Sequence, residues 1–267
     1  MRKIFDRVLT AALVLVLITT LGSMIAKQLD YRRGEQDYTQ AQEIAKVPKL
    51  PVMPARPAPA ASDESSSWPD EVLTALAEID LEALREINPD VIGWICIPGT
   101  DLSYPLLQGR DNAYYLSHTW QNKKNSAGAV FLDYRSSLDD LYALIYAHRM
   151  SNTTMFGILK FYDDEAFWME HPSVYLVSED TVGRYDIFSA FEANVHSDVY
   201  KLDLPEDERA GFLTWCLEQS AIDTGIIPED KDKTICLSTC TSGGGLTDTR
   251  WVVHAVLRDE AVIAGRP

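Results

Sequence analysis

Short apolar runs separated by turn residues fill the chain from residue 91 onward. The runs are four to seven residues long, and we assign strands to residues 95–98, 102–107, 129–132, 141–147, 174–177, 185–191, 234–239 and 251–257. An amphipathic helix is predicted at residues 205–220, before the seventh strand. Two shorter helical patterns come earlier, one capped by Asp70 and one at residues 81–87. Eight strands with one sizeable internal helix favour a mainly β barrel or sandwich over an alternating β–α fold.

The N-terminus has a different pattern, an uncharged run over residues 8–26. Basic residues lie on both sides of it: Arg2, Lys3 and Arg7 before, and Lys27, Arg32 and Arg33 after. At about 1.5 Å per residue, a helix of this length nearly crosses a hydrocarbon core of roughly 30 Å. A cleaved signal peptide is the alternative, but the run is long and has no convincing A-x-A cleavage site. The pattern favours an uncleaved signal anchor, with residues 1–7 cytoplasmic and residues 8–26 in the membrane.

The segment that follows the anchor is polar at first and then rich in Pro, Ala and Ser. Residues 27–46 are typical of a polar, helical stalk. Residues 47–67 cannot bury a core, so we expect an extended, semi-rigid spacer that holds the domain away from the bilayer. We therefore assign residues 27–67 to an extracellular stalk and linker, and residues 68–267 to one folded domain.

Charge and cysteine content argue against two classes of protein, nucleic-acid-binding proteins and disulfide-stabilised scaffolds. The net charge is −16, from 24 basic and 40 acidic residues, which argues against nucleic acid as a partner. Cys236 and Cys240 are about 13 Å apart on an extended strand, beyond the roughly 7 Å that a disulfide spans. Cys96 and Cys216 lie in apolar patterns typical of small core residues, although a bridge between them stays open. The chain is not a disulfide scaffold.

The most informative segment is the strand that ends at Cys240 and the one that begins at Arg250. A Gly-rich loop over residues 241–249 joins them and is long enough to bring both residues to one end of a strand pair. A thiolate attacks a carbonyl carbon, and a fixed cation stabilises the oxygen that becomes negative. The two residues are therefore candidates for acyl chemistry. The alternative is a buried small residue and a solvated arginine.

A thiol needs a proton acceptor, and five histidines compete for that role. His148 lies where an apolar strand runs into a polar turn, a place where site residues are often displayed. His254 is on Arg250's side of the last strand, but about 13 Å further along it. The other three lie in loop or turn contexts: His118, His171 and His196. The glycines lack a following Lys-Ser/Thr pair and the cysteines lack a second ligand pair, so we predict no phosphate loop, metal or cofactor.

Several motifs in one order resemble the sortase family. Residues 237–240, Leu-Ser-Thr-Cys, and Arg250 ten residues later are similar to its T-L-x-T-C…R signature. Upstream segments resemble class B sortases at residues 88–100, 104–112, 131–135, 145–150 and 155–157. The resemblance runs from about residue 70 to 258. Three positions depart from the pattern without removing a catalytic side chain: Cys236 for Thr, Ala147 for Gly and Arg149 for Asn.

The resemblance implies a closed eight-stranded, sortase-type β-barrel with N-terminal helices and one helix inserted before the penultimate strand. It also implies a site in which Cys240 is the nucleophile and His148 its acid/base partner. Arg250 is then the cation that holds the oxyanion and orients the substrate. Ser238 and Thr239 flank the nucleophile and are expected to hydrogen-bond the bound peptide.

The implied reaction is transpeptidation at the cell membrane of a Gram-positive-type envelope. A surface protein with a C-terminal sorting motif is cleaved through a thioester and transferred to an amine of the peptidoglycan precursor of the cell wall or of a pilin. The N-terminal helix contacts the membrane and spans it once, with the catalytic domain outside. Three alternatives remain: a cysteine peptidase in which water resolves the thioester, a pilin-joining sortase, and a non-catalytic surface-binding module.

Overall fold

The computed structural model describes residues 2–50, 70–240 and 247–263. Most of the predicted linker and most of the Gly-rich loop after Cys240 lie outside the described residues. The strands are β1 Val91–Cys96, β2 Ser103–Leu107, β3 Val130–Leu132, β4 Tyr142–Tyr146, β5 Ser173–Val177, β6 Thr181–Asn194, β7 Thr234–Cys240 and β8 Thr249–Val262. The α-helices are α1 Arg2–Ile44, α2 Asp70–Ala77, α3 Leu81–Arg85, α4 Glu165–Glu170 and α5 Glu206–Gln219. Short 3₁₀ helices occupy Tyr114–Leu116, Phe156–Asp163 and Asp198–Tyr200.

Each predicted strand overlaps an observed one, and α5 lies in the predicted place before the penultimate strand. The prediction of a mainly β, closed eight-stranded barrel is confirmed. Strands β6 and β8 are twice as long as predicted, with 14 residues each, because they pair with each other from end to end. Strand β1 begins earlier than predicted and ends before Gly99, whose φ of 79° turns the chain. Helix α4 and the 3₁₀ helices were not predicted.

The order of strands around the barrel brings distant parts of the chain together. The strands close in the order β1-β2-β3-β4-β7-β8-β6-β5. Pairs β2–β3 and β4–β7 are parallel, whereas β7–β8 and β6–β8 are antiparallel. Parallel neighbours need a long crossover, and between β4 and β7 it contains β5, β6 and α5. Strands β4 and β7 are therefore adjacent although two other barrel strands and helix α5 lie between them in sequence.

One buried arginine holds the starts of these two parallel strands in place. Arg209, on α5, is only 4% exposed. Its Nη2 donates to the carbonyl oxygens of Leu141 and Asp232, each at 2.7 Å, and to the Thr234 hydroxyl at 3.0 Å. Leu141 directly precedes β4, and Thr234 opens β7. The guanidinium therefore fixes α5 and both strand starts to one another, and the oxygens that accept from it offset the cost of burying its charge.

Helix α1 packs against the barrel along its C-terminal third. Tyr38, Ala41 and Ala45 are buried and belong to the same apolar cluster as the barrel core. Gly34 is also buried, and an added Cβ there would be 3.0 Å from the Asn125 side-chain oxygen, so a larger residue would require this amide to shift. The second half of the predicted stalk thus lies on the domain. The domain boundaries taken from the sequence stay a prediction.

Polar contacts fasten α1 to residues 117–128, which we call the helix-contact loop. The Asp37 carboxylate accepts from the Lys123 ammonium at 2.9 Å, and the Asp37 carbonyl accepts from the Trp120 indole at 2.8 Å. Nearer the N-terminus, the Asp30 carbonyl accepts from the Asn125 amide at 2.8 Å, and its carboxylate accepts from the Ser126 backbone N–H at 3.0 Å. The loop is therefore tied to the helix at two levels.

Candidate active site

The backbone ladders place the three candidate catalytic residues at one end of three adjacent strands. In the parallel pair β4–β7, Tyr146 is opposite Ser238, and the Ala147 N–H donates to the Ser238 carbonyl at 3.4 Å. If both chains continue in this register for two more residues, His148 comes level with Cys240. In the antiparallel pair β7–β8, Cys240 is directly opposite Arg250. Because neighbouring strands are about 4.8 Å apart, Cys240 and Arg250 lie side by side, and His148 follows the adjacent end of β4 by two residues.

His148 is held by the carbonyl of a residue from a different part of the chain. Its Nε2 lies 2.6 Å from the Leu116 carbonyl oxygen. A carbonyl oxygen only accepts, so Nε2 carries the hydrogen in this arrangement. Leu116 ends the 3₁₀ helix Tyr114–Leu116, directly before the helix-contact loop. No residue type marks a carbonyl acceptor, which is why sequence reasoning missed Leu116.

The segment after His148 folds back on itself tightly. The His148 carbonyl accepts from the Phe156 N–H at 3.0 Å, and Arg149 forms an isolated antiparallel bridge with Met155. An added Cβ at Gly157 is only 2.5 Å from the Met150 carbonyl oxygen, so this turn requires glycine. Ala147 is buried and continues the ladder, so its methyl group is accommodated where the family pattern has glycine.

Arg250 is half-buried, and its guanidinium is held by carbonyls of its own segment. Nη1 donates to the carbonyl oxygens of Thr247 at 2.6 Å and Thr249 at 2.9 Å. The backbone of Arg250 pairs with Cys240 on one side and with Ala193 on the other. The cation thus lies at the end of the ladder beside Cys240, with its head fixed to backbone.

The two residues predicted to contact peptide lie in β7 directly before Cys240. Ser238 and Thr239 are each 2% exposed. The Ser238 hydroxyl lies 2.9 Å from the Tyr200 hydroxyl, and within the described part of the chain the Thr239 hydroxyl has no hydrogen-bond partner. Tyr200 is a further residue that sequence reasoning missed. A direct bond from either β7 hydroxyl to a peptide requires local rearrangement, and their role stays a prediction.

His254, the competing histidine, lies in a buried polar cluster away from this end of the barrel. It pairs with Cys236, four residues before Cys240 in β7. Its ring nitrogens lie 3.4 Å from the Tyr142 hydroxyl and 3.2 Å from the Ser189 hydroxyl. Burial lowers the pKa of His254 to about 3, so the ring is neutral at physiological pH. This environment is that of a structural histidine.

The burial of His254 predicts a pH-dependent stability. The folded state keeps the ring neutral down to about pH 3, whereas the unfolded chain takes up a proton below about pH 6.5. The unfolded state therefore binds more protons in this window, and the contribution present above pH 6.5 is lost as pH falls. We expect His254→Gln to flatten the fall by about 1.4 kcal/mol per pH unit between these limits. Denaturant titrations of the free energy of unfolding at several pH values measure it.

The matched control for this prediction is His196→Gln, at an exposed loop position. It should follow the wild-type profile. A His254→Gln profile parallel to the wild type would show that the buried ring is protonated in the folded state, contrary to the prediction.

The remaining cysteines are ordinary core residues. Cys96, Cys216 and Cys236 are free and buried, so the alternative of a Cys96–Cys216 bridge is wrong. Burial raises the pKa of the Cys96 and Cys236 thiols to about 12, which keeps them protonated at neutral pH. These three thiols are therefore not nucleophiles in the folded protein.

Comparisons with known proteins give one consistent family. The family model described as the sortase domain matches residues 95–258. Sortase B of Listeria monocytogenes is 33% identical over 181 residues, covering 67% of this chain and 74% of that protein. Sortase B of Staphylococcus aureus is 31% identical over 179 residues, covering 65% and 72%.

Solved structures agree with the sequence comparisons. Sortase B from B. anthracis in complex with AAEK1 superposes with a TM-score of 0.68 at 27% identity, covering 86% of this chain and 98% of that one. The Staphylococcus aureus sortase B–substrate complex gives 0.63 at 28% identity, covering 67% and 84%. The match extends through the barrel.

Proposed function

This chain belongs to the sortase family of cysteine transpeptidases and resembles its class B members, and from this premise we propose that Cys240, His148 and Arg250 carry its reaction. One observation supports the assignment above the others. The antiparallel β7–β8 register pairs Cys240 with Arg250, and His148 follows the end of β4, the other neighbour of β7, by two residues. These three residues are the positions at which the family motifs occur in this sequence.

In the proposed first half-reaction, the Cys240 thiol has given its proton to His148, and the thiolate attacks the carbonyl carbon of a peptide bond in the sorting motif. The carbonyl oxygen becomes negative in the tetrahedral intermediate, and the guanidinium of Arg250 stabilises it. The C–N bond then breaks, and protonated His148 gives its proton to the departing amine. The product is a thioester between Cys240 and the N-terminal part of the substrate.

In the second half-reaction, an incoming amine attacks the thioester carbon. His148 takes the proton that the amine loses, the C–S bond breaks, and the Cys240 thiolate leaves. A new amide joins the surface protein to its acceptor. Because Nε2 of His148 is engaged with the Leu116 carbonyl, we assign both proton transfers to Nδ1.

We infer that the substrates are surface proteins with a C-terminal sorting motif and that the acceptor is an amine of the cell-wall precursor or of a pilin. The described residues include one helix that is long and apolar enough to cross a membrane, and it lies near the N-terminus. We propose that it anchors the enzyme, with the barrel on the outer side. A signal-like N-terminus with a folded domain behind it favours this orientation, whereas the three basic residues on each side of the run do not decide it.

The function is tested by identifying the products. Full-length protein in detergent micelles is incubated with a peptide library, with and without hydroxylamine as the amine probe. Transpeptidation predicts hydroxamate-capped peptides that grow at the expense of hydrolysed ones, as read by mass spectrometry. Hydrolysis that hydroxylamine never diverts would indicate a peptidase. The Cys240→Ala variant serves as the control, and no cleavage by the wild-type protein would favour a binding module.

A further inference from the structure

Helix α1 is one continuous helix from the apolar run to the barrel. It extends over Arg2–Ile44 without a break. Its side chains are exposed from residue 12 to residue 29, and its packed part begins at Asp30. A single helix has a fixed rise of about 1.5 Å per residue, so each contact it makes with the domain has a defined height above the end of the apolar run.

The contacts are ordered along the helix axis. Measured from Ala26, the last residue of the uncharged run, Asp30 lies about 6 Å further along and Asp37 about 17 Å. Asp30 contacts Asn125 and Ser126, whereas Asp37 contacts Trp120 and Lys123. The helix-contact loop therefore has its residues 125–126 nearest to the apolar run.

The far side of the domain meets the end of the same helix. Ala45, which directly follows α1, accepts a hydrogen bond from the Asp80 N–H at 2.9 Å. This level is about 29 Å from Ala26 along the axis. The exposed residue Glu78 lies close to it in sequence and is a reference point remote from the apolar run.

The distance of Asp30 from the end of the apolar run, about 6 Å along the helix axis, falls within the thickness of the lipid headgroup layer. A bilayer of about 40–45 Å has a hydrocarbon core of about 30 Å, which leaves about 5–8 Å of headgroup layer on each side. An average helix tilt of about 20° shortens the 6 Å to Asp30 by less than 1 Å. If residues 8–26 span the core, the loop at residues 124–127 therefore reaches the headgroups.

The charge on this part of the surface fits such a contact. Lys27, Arg32, Arg33 and Lys124 are exposed basic residues near this level, in a chain whose net charge is −16. The opposite charge of Asp30 is engaged internally, because its carboxylate accepts from the Ser126 N–H. A basic side chain near an anionic membrane surface contributes about 1 kcal/mol of attraction.

We propose that residues 124–127, together with Lys27, Arg32 and Arg33, form a bilayer-facing surface that rests on anionic headgroups. This inference rests on the membrane anchor in the proposed function. In this arrangement the domain contacts the membrane directly, whereas the sequence predicted a spacer that holds it away from the bilayer. His148 is then close to the bilayer, because Asn152, in the turn that follows it, donates to Glu35 of α1 at 2.9 Å.

The test is lipid contact by an introduced fluorophore. In a Cys240→Ala background, the other cysteines, Cys96, Cys216 and Cys236, are buried, so Ser126→Cys offers the accessible thiol for an environment-sensitive dye. The full chain is reconstituted in vesicles of phosphatidylglycerol and phosphatidylcholine that carry a headgroup-level quencher. Dye at position 126 should be quenched at least twice as strongly as dye on Glu78→Cys.

Two further arms separate the outcomes. Seven helical residues inserted after Lys27 move the domain about 10 Å further from the bilayer. Seven residues make nearly two full turns, so the rotation of the domain about the helix axis is almost unchanged, and quenching at position 126 should be lost. Substituting Lys124→Glu should weaken quenching in anionic vesicles, whereas Lys231→Glu, at an exposed position just before β7, serves as its control. Equal quenching at positions 126 and 78 in a chain that floats with the vesicles overturns the docking surface alone. A chain that does not float with the vesicles overturns the membrane anchor itself.

Discussion

Full-length protein carrying Cys240→Ala is expected to lose peptide cleavage and acyl transfer by at least about 10³-fold. Without the thiol no thioester forms, and the reaction loses its two-step route. The fold should persist, because Cys240 is the last residue of β7 and alanine keeps its backbone place opposite Arg250. Initial rates of peptide cleavage measure the loss. Intact-mass spectra should show an acylated wild-type protein and an unmodified variant.

Cys236→Ala is the matched control, the same change four residues earlier in the same strand. Burial raises the pKa of the Cys236 thiol to about 12, so it is not a nucleophile at neutral pH, and most activity should remain. Iodoacetamide should modify the folded wild type once and the Cys240→Ala variant not at all. A Cys240→Ala enzyme as active as the wild type would place the nucleophile elsewhere.

Arg250→Ala is expected to lower kcat/KM by about 10²–10³-fold, the range seen when a donor to a developing oxyanion is removed. The residue is opposite Cys240 in the ladder, and its guanidinium is fixed by the carbonyls of Thr247 and Thr249. A cation held in this way needs no reorganisation when charge develops on the substrate. Steady-state kinetics on the same peptide measure the effect.

The kinetic constants divide the role of Arg250 into two parts. A fall in kcat at unchanged KM indicates oxyanion stabilisation, whereas a rise in KM indicates that the arginine orients the bound peptide. Arg250→Lys should recover only part of the loss, since an ammonium lacks the planar fork. Arg258→Ala, on the same strand, is the control and should be close to wild type. An Arg250→Ala enzyme with wild-type constants would remove the arginine from the mechanism.

Most strands were predictable from local pattern, because each apolar run is bounded by turn residues. Pattern alone left barrel and sandwich open, and the closed barrel followed from the family resemblance. The pairing of Cys240 with Arg250 was also accessible, since a short loop returns the chain beside itself. The position of His148 was not accessible from local signals, because it depends on the parallel β4–β7 pair and its long crossover.

The packing of α1 had a signal that sequence reasoning did not use. Gly34, Tyr38, Ala41 and Ala45 recur at spacings of four, three and four, which is the pattern of a helix with one packed face. The predominance of polar residues over 27–46 hid this stripe. The Leu116 carbonyl had no such signal, since every residue carries a carbonyl and only the folded chain selects one.

The parallel pairing of β4 with β7 also bears on when the enzyme becomes active. His148 and Cys240 are 92 residues apart in sequence. Contacts of such long range form late in folding, because the loop-closure entropy is lost before the pairing compensates for it. A growing chain that has emerged only as far as β6 contains the histidine without a nucleophile. Because β7 lies between β4 and β8, a chain that lacks it has neither the nucleophile nor a closed barrel.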